Sequence, residues 1–136
     1  MKIYFGGSIR GGRNDQALYL EVIKLLQNYG EVLTEHIGDK SITDMGQMTM
    51  SDEEIFTKDV ALLRDSDVLV AEVTNTSLGV GYELGLAESL NKKIFVLYRE
   101  SEGRRLSAMI KGNKNIICID YKDVSELPAI FDKVLR

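Results

Sequence analysis

Five short apolar runs alternate with five longer stretches of helical spacing, and that alternation is what most narrows the folds open to this chain. Residues 2–5, 31–34, 67–72, 93–98 and 115–119 are rich in Val, Ile and aromatics and read as strands. None has a clean polar side, which describes parallel strands buried on both faces of a sheet. Helical spacing covers residues 15–29, a stretch opening at Ser51, residues 81–90, about 105–110, and 124–135. Together these predict one α/β domain over residues 1–136, a doubly wound five-stranded parallel sheet of the flavodoxin-like or Rossmann-like kind with flavodoxin-like strand order.

Local signals sharpen the elements. Leu18, Val22, Leu25 and Leu26 share one face of the first helix, and Gly30 reads as its C-cap. Ser51 with Glu54 three residues on matches a capping box, followed by an inward stripe of Ile55, Val60 and Leu63. Cys118 lies in the run Ile116-Ile117-Cys118-Ile119 and reads as core.

At 136 residues and 44% hydrophobic content, the chain suffices for a single core. One cysteine cannot form an internal disulfide, and the apolar start at Ile3-Tyr4-Phe5 is too short for a signal peptide or a spanning helix, so a reducing cytoplasm and no membrane are the expectations. The 17 basic residues are scattered among 21 acidic ones, for a net charge of -4. Binding a nucleic acid polymer needs a concentrated basic surface, so that partner is set aside. A small phosphate ligand is different, because a few backbone amides and one arginine can hold it.

In a doubly wound sheet, ligands lie outside the carboxyl ends of the strands. The loops to inspect are therefore residues 6–13, 35–50, 73–80 and 99–105. The first reads Gly6-Gly7-Ser8-Ile9-Arg10-Gly11-Gly12-Arg13. Its glycines permit close backbone approach to an anion, and Arg10 or Arg13 can add a bidentate contact; equally, it can be only a tight turn. It is neither a Walker A motif nor the dinucleotide fingerprint. Within the third loop and the helix after it, Glu83 is expected in the first helical turn, where the macrodipole favours an ionised carboxylate, and facing the ligand crevice. Asp59 on the second helix reads either as a solvated charge beside Lys58 or as a site group. Tyr4 on the first strand has either a packing role or a place in the site. His36, the single histidine, follows the second strand and can line the pocket. Met45, Met48 and Met50 suit a lid over a planar base or simple packing.

Taken together, Tyr4-Phe5-Gly6-Gly7-Ser8-Ile9-Arg10-Gly11-Gly12, Val32-Leu33-Thr34-Glu35-His36, Ala71-Glu72-Val73-Thr74, Ser77-Leu78-Gly79-Val80-Gly81-Tyr82-Glu83-Leu84-Gly85 and Leu106-Ser107-Ala108-Met109-Ile110 resemble the nucleoside 2-deoxyribosyltransferase family. More closely, they resemble its members that hydrolyse 2'-deoxynucleoside 5'-monophosphates. The resemblance runs in register over nearly the whole chain and is weakest at residues 38–50. It implies a nucleophile at Glu83, an assisting aspartate at Asp59 and a tyrosine beside the nucleophile at Tyr4. It implies phosphate contacts from Ser8, Ile9, Arg10, Gly11, Ser77 and Gly79, with Gly7 in the same turn. It further implies a homodimer in which Ser107 and Met109 reach the partner's site, and a reaction that needs no metal and no cofactor.

Three rivals stand beside this reading: a transferase passing deoxyribose to a second base, a hydrolase of ribonucleoside monophosphates such as CMP, and a receiver-like signalling module. The transferase would leave Ser8, Arg10, Ser77 and Ser107 superfluous on a free nucleoside. The receiver would need an acidic cluster at the ends of the first and third strands, whereas Gly6 and Gly7 follow the first.

Overall fold

The strands pair side by side, all parallel, in the order β2-β1-β3-β4-β5. They are β1 (Lys2–Gly7), β2 (Glu31–Val32), β3 (Val68–Glu72), β4 (Lys93–Tyr98) and β5 (Ile117–Asp120). The helices are α1 (Gln16–Leu26), α2 (Asp52–Asp65), α3 (Leu78–Ser89), α4 (Ala108–Lys111) and α5 (Leu127–Val134), the last preceded by a 3₁₀ turn, Val124–Glu126. This is a computed structural model, and it describes residues 1–8, 15–34, 50–75, 77–100 and 105–136. The flavodoxin-like order expected from the alternation is the one observed.

Pleat alternation divides the core between two layers. Ile3, Phe5, Val68, Val70, Phe95 and Leu97 face α1 and α5, packing with Tyr19, Val22, Ile23 and Phe131. Tyr4, Leu69, Ala71, Ile94 and Val96 face the other way, packing with Leu63, Val80, Leu84 and Ala87 of α2 and α3. The β1 to β3 register sets Tyr4 beside Leu69, Gly6 beside Ala71 and Gly7 beside Glu72.

Ser51 caps α2 with the full capping box: Glu54 N donates to Ser51 Oγ at 3.1 Å, and Ser51 N donates to Glu54 Oε1 at 3.2 Å. Of the expected stripe on α2, Leu63 alone is fully buried, while Ile55 and Val60 are half-buried. The α1 face is rotated from the one read off the leucines, and buries Tyr19, Val22, Ile23 and Leu26, with Leu18 and Leu25 at its margin. Gly30 is not a cap, since α1 closes at Gln27. A side chain at Gly30 would put its Cβ 2.1 Å from the Met1 carbonyl oxygen, so glycine is needed there for close approach. The expected strand to Thr34 stops at Val32 because a side chain continues the ladder: Thr34 Oγ1 accepts from Phe5 N at 2.8 Å and donates to Phe5 O.

Two further expectations are corrected. Cys118 is exposed, because β5 is an edge strand covered little on either face. The third helix begins at Leu78, three residues before the expected start, because Ser77 caps it by accepting from Val80 N at 3.2 Å.

These placements predict opposite outcomes for two substitutions. Leu63→Ala should lower unfolding free energy by about 2–5 kcal/mol, as a fully buried leucine leaves a cavity. Cys118→Ser should change it by less than about 0.5 kcal/mol, as expected of an exposed position. Urea denaturation of both variants checks the assignment, and the reverse ranking would overturn it.

Candidate active site

Three elements converge on one corner beside β1. Tyr4, buried in the centre of β1, points toward α2 and α3, and its hydroxyl donates to Glu83 Oε2. Glu83 lies on the inner side of α3, above Gly6, where an added Cβ would stand 3.3 Å from Glu83 Oε1. The absent side chain at Gly6 is thus the space the carboxylate uses. Asp59 comes from α2, and its Oδ1 is buried with no hydrogen-bond partner among the described residues.

Electrostatics at this corner differ from the sequence expectation. With Ser77 as cap and Leu78 as first residue, Glu83 is the sixth residue of α3 and sits in the second turn. The macrodipole acts chiefly within the first turn, so its support for an ionised Glu83 is largely lost. Burial dominates and pushes the carboxyl up to about 7, with the Tyr4 hydrogen bond pulling it down and the Asp59 charge adding to the rise. Burial also raises Asp59, against a lowering by Lys58. Tyr4 is raised well above the ordinary phenol range by burial, then by Glu83 and Asp59, so it remains a hydrogen-bond donor. A phenol donor, a carboxyl poised near neutrality and a second carboxyl kept protonated more easily than usual form a set suited to nucleophilic and acid–base chemistry.

The phosphate-side candidates flank this corner. Ser8 is buried and its N–H donates to Tyr19 Oη at 3.2 Å. Gly7 faces the layer opposite Glu83, and a Cβ there would stand 3.0 Å from the Tyr19 ring. Ser77 and Gly79 occupy the start of α3. Ser107 caps α4 by accepting from Met109 N at 3.2 Å, and Met109 protrudes into solvent. A cavity of about 700 Å³ lies on the other side of α3, lined by Ser77, Val80, Leu84, Arg105, Ser107 and Met109 among others. The structure therefore brings Tyr4, Asp59 and Glu83 together, and separately gathers Ser77, Ser107 and Met109 around the neighbouring cavity. Ile9, Arg10, Gly11 and His36, and the expected lid methionines Met45 and Met48, lie outside the described residues.

Reading by sequence missed Arg105, and it missed a network of Glu72, Arg99, Asp15 and Tyr121 at the carboxyl ends of β3 to β5. A glutamate closing the apolar run of β3 was the available signal, since a charge ending a buried strand needs partners.

The profile of the nucleoside 2-deoxyribosyltransferase family matches residues 3–118. The chain is 55% identical to a 5-hydroxymethyl-dUMP N-hydrolase of Tetraodon nigroviridis over 116 residues, covering 85% of this chain and 82% of that protein. It is 54% identical to the Danio rerio protein of the same name, covering 82% and 78% respectively. Among solved structures, the CMP N-glycosidase BcmB of Clostridium botulinum superposes with a TM-score of 0.71 at 21% identity, over 99% of this chain and all of that one. At that identity the likeness is one of fold.

The Glu83 environment predicts a measurable titration. Carboxyl carbon NMR should find one glutamate near pH 7, absent in Glu83→Gln and moved upward in Tyr4→Phe, because the phenol's hydrogen bond holds the value down. By linkage, a carboxyl raised above its ordinary value of 4.5 stabilises the fold below that pH and loses the contribution as pH rises through about 7. Glu83→Gln should accordingly be the more stable protein at pH 8, and a Tyr4→Phe shift in the downward direction would overturn the account.

Proposed function

The chain belongs to the nucleoside 2-deoxyribosyltransferase family, and from that premise we propose that it hydrolyses the N-glycosidic bond of 2'-deoxynucleoside 5'-monophosphates, releasing the free base and 2-deoxyribose 5-phosphate. The observation that carries the reading is the meeting of Tyr4, Glu83 and Asp59 in one partly buried corner.

A deoxyribose lacks the electron-withdrawing 2'-hydroxyl, so positive charge develops readily at C1' as the base departs. Burial favours the neutral form of Asp59, and in the form of the pair that carries its proton on Asp59 and its charge on Glu83, Glu83 attacks C1', the bond from C1' to the base nitrogen breaks with its electron pair on the base, and Asp59 supplies the proton the base takes up. Water then attacks C1', the bond to Glu83 breaks, and the water's proton returns to Asp59. Tyr4 donates to one Glu83 oxygen throughout, leaving the other to attack and easing its later departure. Because only ionised Glu83 is the nucleophile, activity rises with pH along a limb near 7.

The 5'-phosphate is held by Ser8, Ile9, Arg10 and Gly11 together with Ser77 and Gly79 at the start of α3. A capping serine uses its oxygen as an acceptor toward Val80 N, which leaves its O–H to donate outward, next to first-turn amides that favour an anion. The relatives' named substrate makes 5-hydroxymethyl-dUMP the first base to try.

The active form is a homodimer with Ser107 and Met109 completing the neighbour's site. Support comes from α3, which carries apolar residues on its outer side as well as its inner one: Leu78 is 95% exposed, and Tyr82 lies exposed against the equally exposed Phe56 of α2. Met109, 81% exposed, continues this apolar surface onto α4. An apolar face of this kind is covered in the functional assembly. No helix among the described residues is long and apolar enough to cross a membrane, and a single exposed thiol at Cys118 fits a reducing cytoplasm.

One panel tests the activity: 5-hydroxymethyl-dUMP, dGMP, dCMP, deoxyguanosine and GMP, each incubated with the protein and assayed for free base. Deoxynucleotide cleavage should dominate; preference for deoxyguanosine would favour the transferase, and preference for GMP the ribonucleotide hydrolase. Glu83→Gln should lose activity on the order of 10³-fold or more while staying folded, since an amide cannot attack C1'. Shared sites are read from mixed dimers. A Glu83→Gln subunit paired with a Ser107→Ala subunit should regain activity above both parent homodimers, and the absence of any gain would remove the cross-subunit contribution.

A further inference from the structure

Arg105 and the cavity it lines play no part in the bond cleavage described above. The cavity, about 700 Å³, lies between the first turns of α3 and the segment that enters α4. Val80 and Leu84, both buried, and Leu106 and Ile110, both half-buried, give it an apolar floor. Ser77, Ser107 and Arg105 line its more exposed part. Arg105 is the one charged residue of the lining, in a chain whose net charge is -4. It has no hydrogen-bond or ion-pair partner among the described residues.

The segment that bears Arg105 is anchored on both sides. The Leu106 backbone hydrogen-bonds the Tyr98 hydroxyl at the end of β4, and Glu100, which also bonds that hydroxyl, is not part of the lining. Ser107 then caps α4. An exposed arginine is ordinarily a solvated charge, and its company sets this one apart. Ser77 Oγ accepts from Val80 N and Ser107 Oγ from Met109 N, each at 3.2 Å, so both serines use their acceptors on helix amides and keep their O–H groups to donate. A cation and two hydroxyl donors over an apolar floor suit an anion attached to an apolar body. Ser77 also joins the two compartments, because it lines this cavity and caps the helix that carries Glu83. A phosphate seated at Ser77 therefore lies at the edge of the space that Arg105 lines.

We propose that Arg105 is a substrate-binding residue that reads the 5'-phosphate from the cavity side of α3, and so sets part of the preference for a deoxynucleoside monophosphate over its nucleoside. The inference deepens the proposed hydrolysis and rests on it for its kinetic readout, but not for its binding readout. Arg105 lines the cavity across α3 from Tyr4, Asp59 and Glu83, so its contribution belongs to binding and not to bond cleavage. It stands on the same wall as Ser107, the wall that the proposed dimer presents to the neighbouring site, and the same experiment reads the contact in either subunit. A charge-assisted contact from a partly hydrated guanidinium is worth about 10-fold in affinity, and salt screens it.

The experiment compares the full chain with Arg105→Gln, which removes the charge, and Arg105→Lys, which keeps the charge and loses the planar fork. Both should unfold thermally as the wild type does, since the position is exposed. On the best deoxynucleoside monophosphate of the panel, Arg105→Gln should raise KM about 10-fold with kcat changed by less than about threefold. Arg105→Lys should recover part of the loss, and activity on the free deoxynucleoside should be unchanged in both variants. Equal losses on phosphorylated and free substrates, or a fall in kcat alone, would overturn the inference. Calorimetric binding of dGMP gives the second arm, with Glu83→Gln added to every protein so that nothing is cleaved. Affinity should fall about 10-fold in Arg105→Gln at low salt, and the gap should narrow toward 1 M KCl, where the Debye length is roughly 3 Å. Equal dGMP affinity with and without Arg105, no dGMP binding at all, or a loss that salt leaves undiminished each overturns the assignment. If the wild type cleaves no deoxynucleotide yet dGMP affinity falls in Arg105→Gln, the functional reading fails and the role of Arg105 stands. If cleavage proceeds while KM and dGMP affinity stay unchanged in Arg105→Gln, the role of Arg105 fails and the functional reading stands.

Discussion

The parallel pairing of β1 with β3 is the constraint on which both polar centres depend. Its register puts Gly6 beside Ala71 and Gly7 beside Glu72, so consecutive residues at the end of β1 face opposite layers. Gly6 opens the space that Glu83 occupies, and Gly7 opens the space that Tyr19 occupies. A slip of one residue would exchange the two faces, sending Tyr4 away from Glu83 and Glu72 away from Arg99. Apolar residues buried on both faces of β1, β3 and β4 forbid such a slip, and so the hydrophobic core sets the chemistry at its edge.

The two centres handle buried carboxyls in opposite ways. Glu72 is surrounded by a guanidinium, a phenol and a backbone amide, enough donors to hold a carboxylate without solvent. Glu83 has one donor, the Tyr4 phenol, and Asp59 retains a buried oxygen with no partner among the described residues. Compensation is complete where the group serves architecture and incomplete where its protonation can change. That incompleteness costs stability, and it is what moves the Glu83 carboxyl toward neutral pH.

Much of this was legible in the sequence, for identifiable reasons. Strand order followed from alternation, and the Ser51 with Glu54 signal is local enough to read directly. The expected start of α3 at Gly81 is three residues late because Gly79 looks like a breaker, whereas in place it is an ordinary helical position behind a Ser77 cap. That three-residue error carried Glu83 from the second turn into the first and reversed the expected direction of its titration. Cys118 was misplaced because an apolar run looks the same in a central strand and at an edge. The Glu72 and Arg99 network was invisible because its members, Asp15, Glu72, Arg99 and Tyr121, lie far apart in the chain and meet only when the strand ends align.

Helix α3 joins these threads, because one rigid element presents the phosphate-side cap, the carboxyl and the outer apolar face. Gly79 and Glu83 are four residues apart, roughly 6 Å along the axis, so the helix acts as a ruler between its anion-favouring start and the carboxyl one turn below. A furanose carrying a 5'-phosphate has its own fixed separation between phosphate and C1'. On the proposed reading, a phosphate seated at the helix start sets C1' at a definite height against Glu83, whereas a nucleoside without that anchor is free to slide along the crevice. Phosphate recognition and bond cleavage are then one positional problem, solved along a single helix.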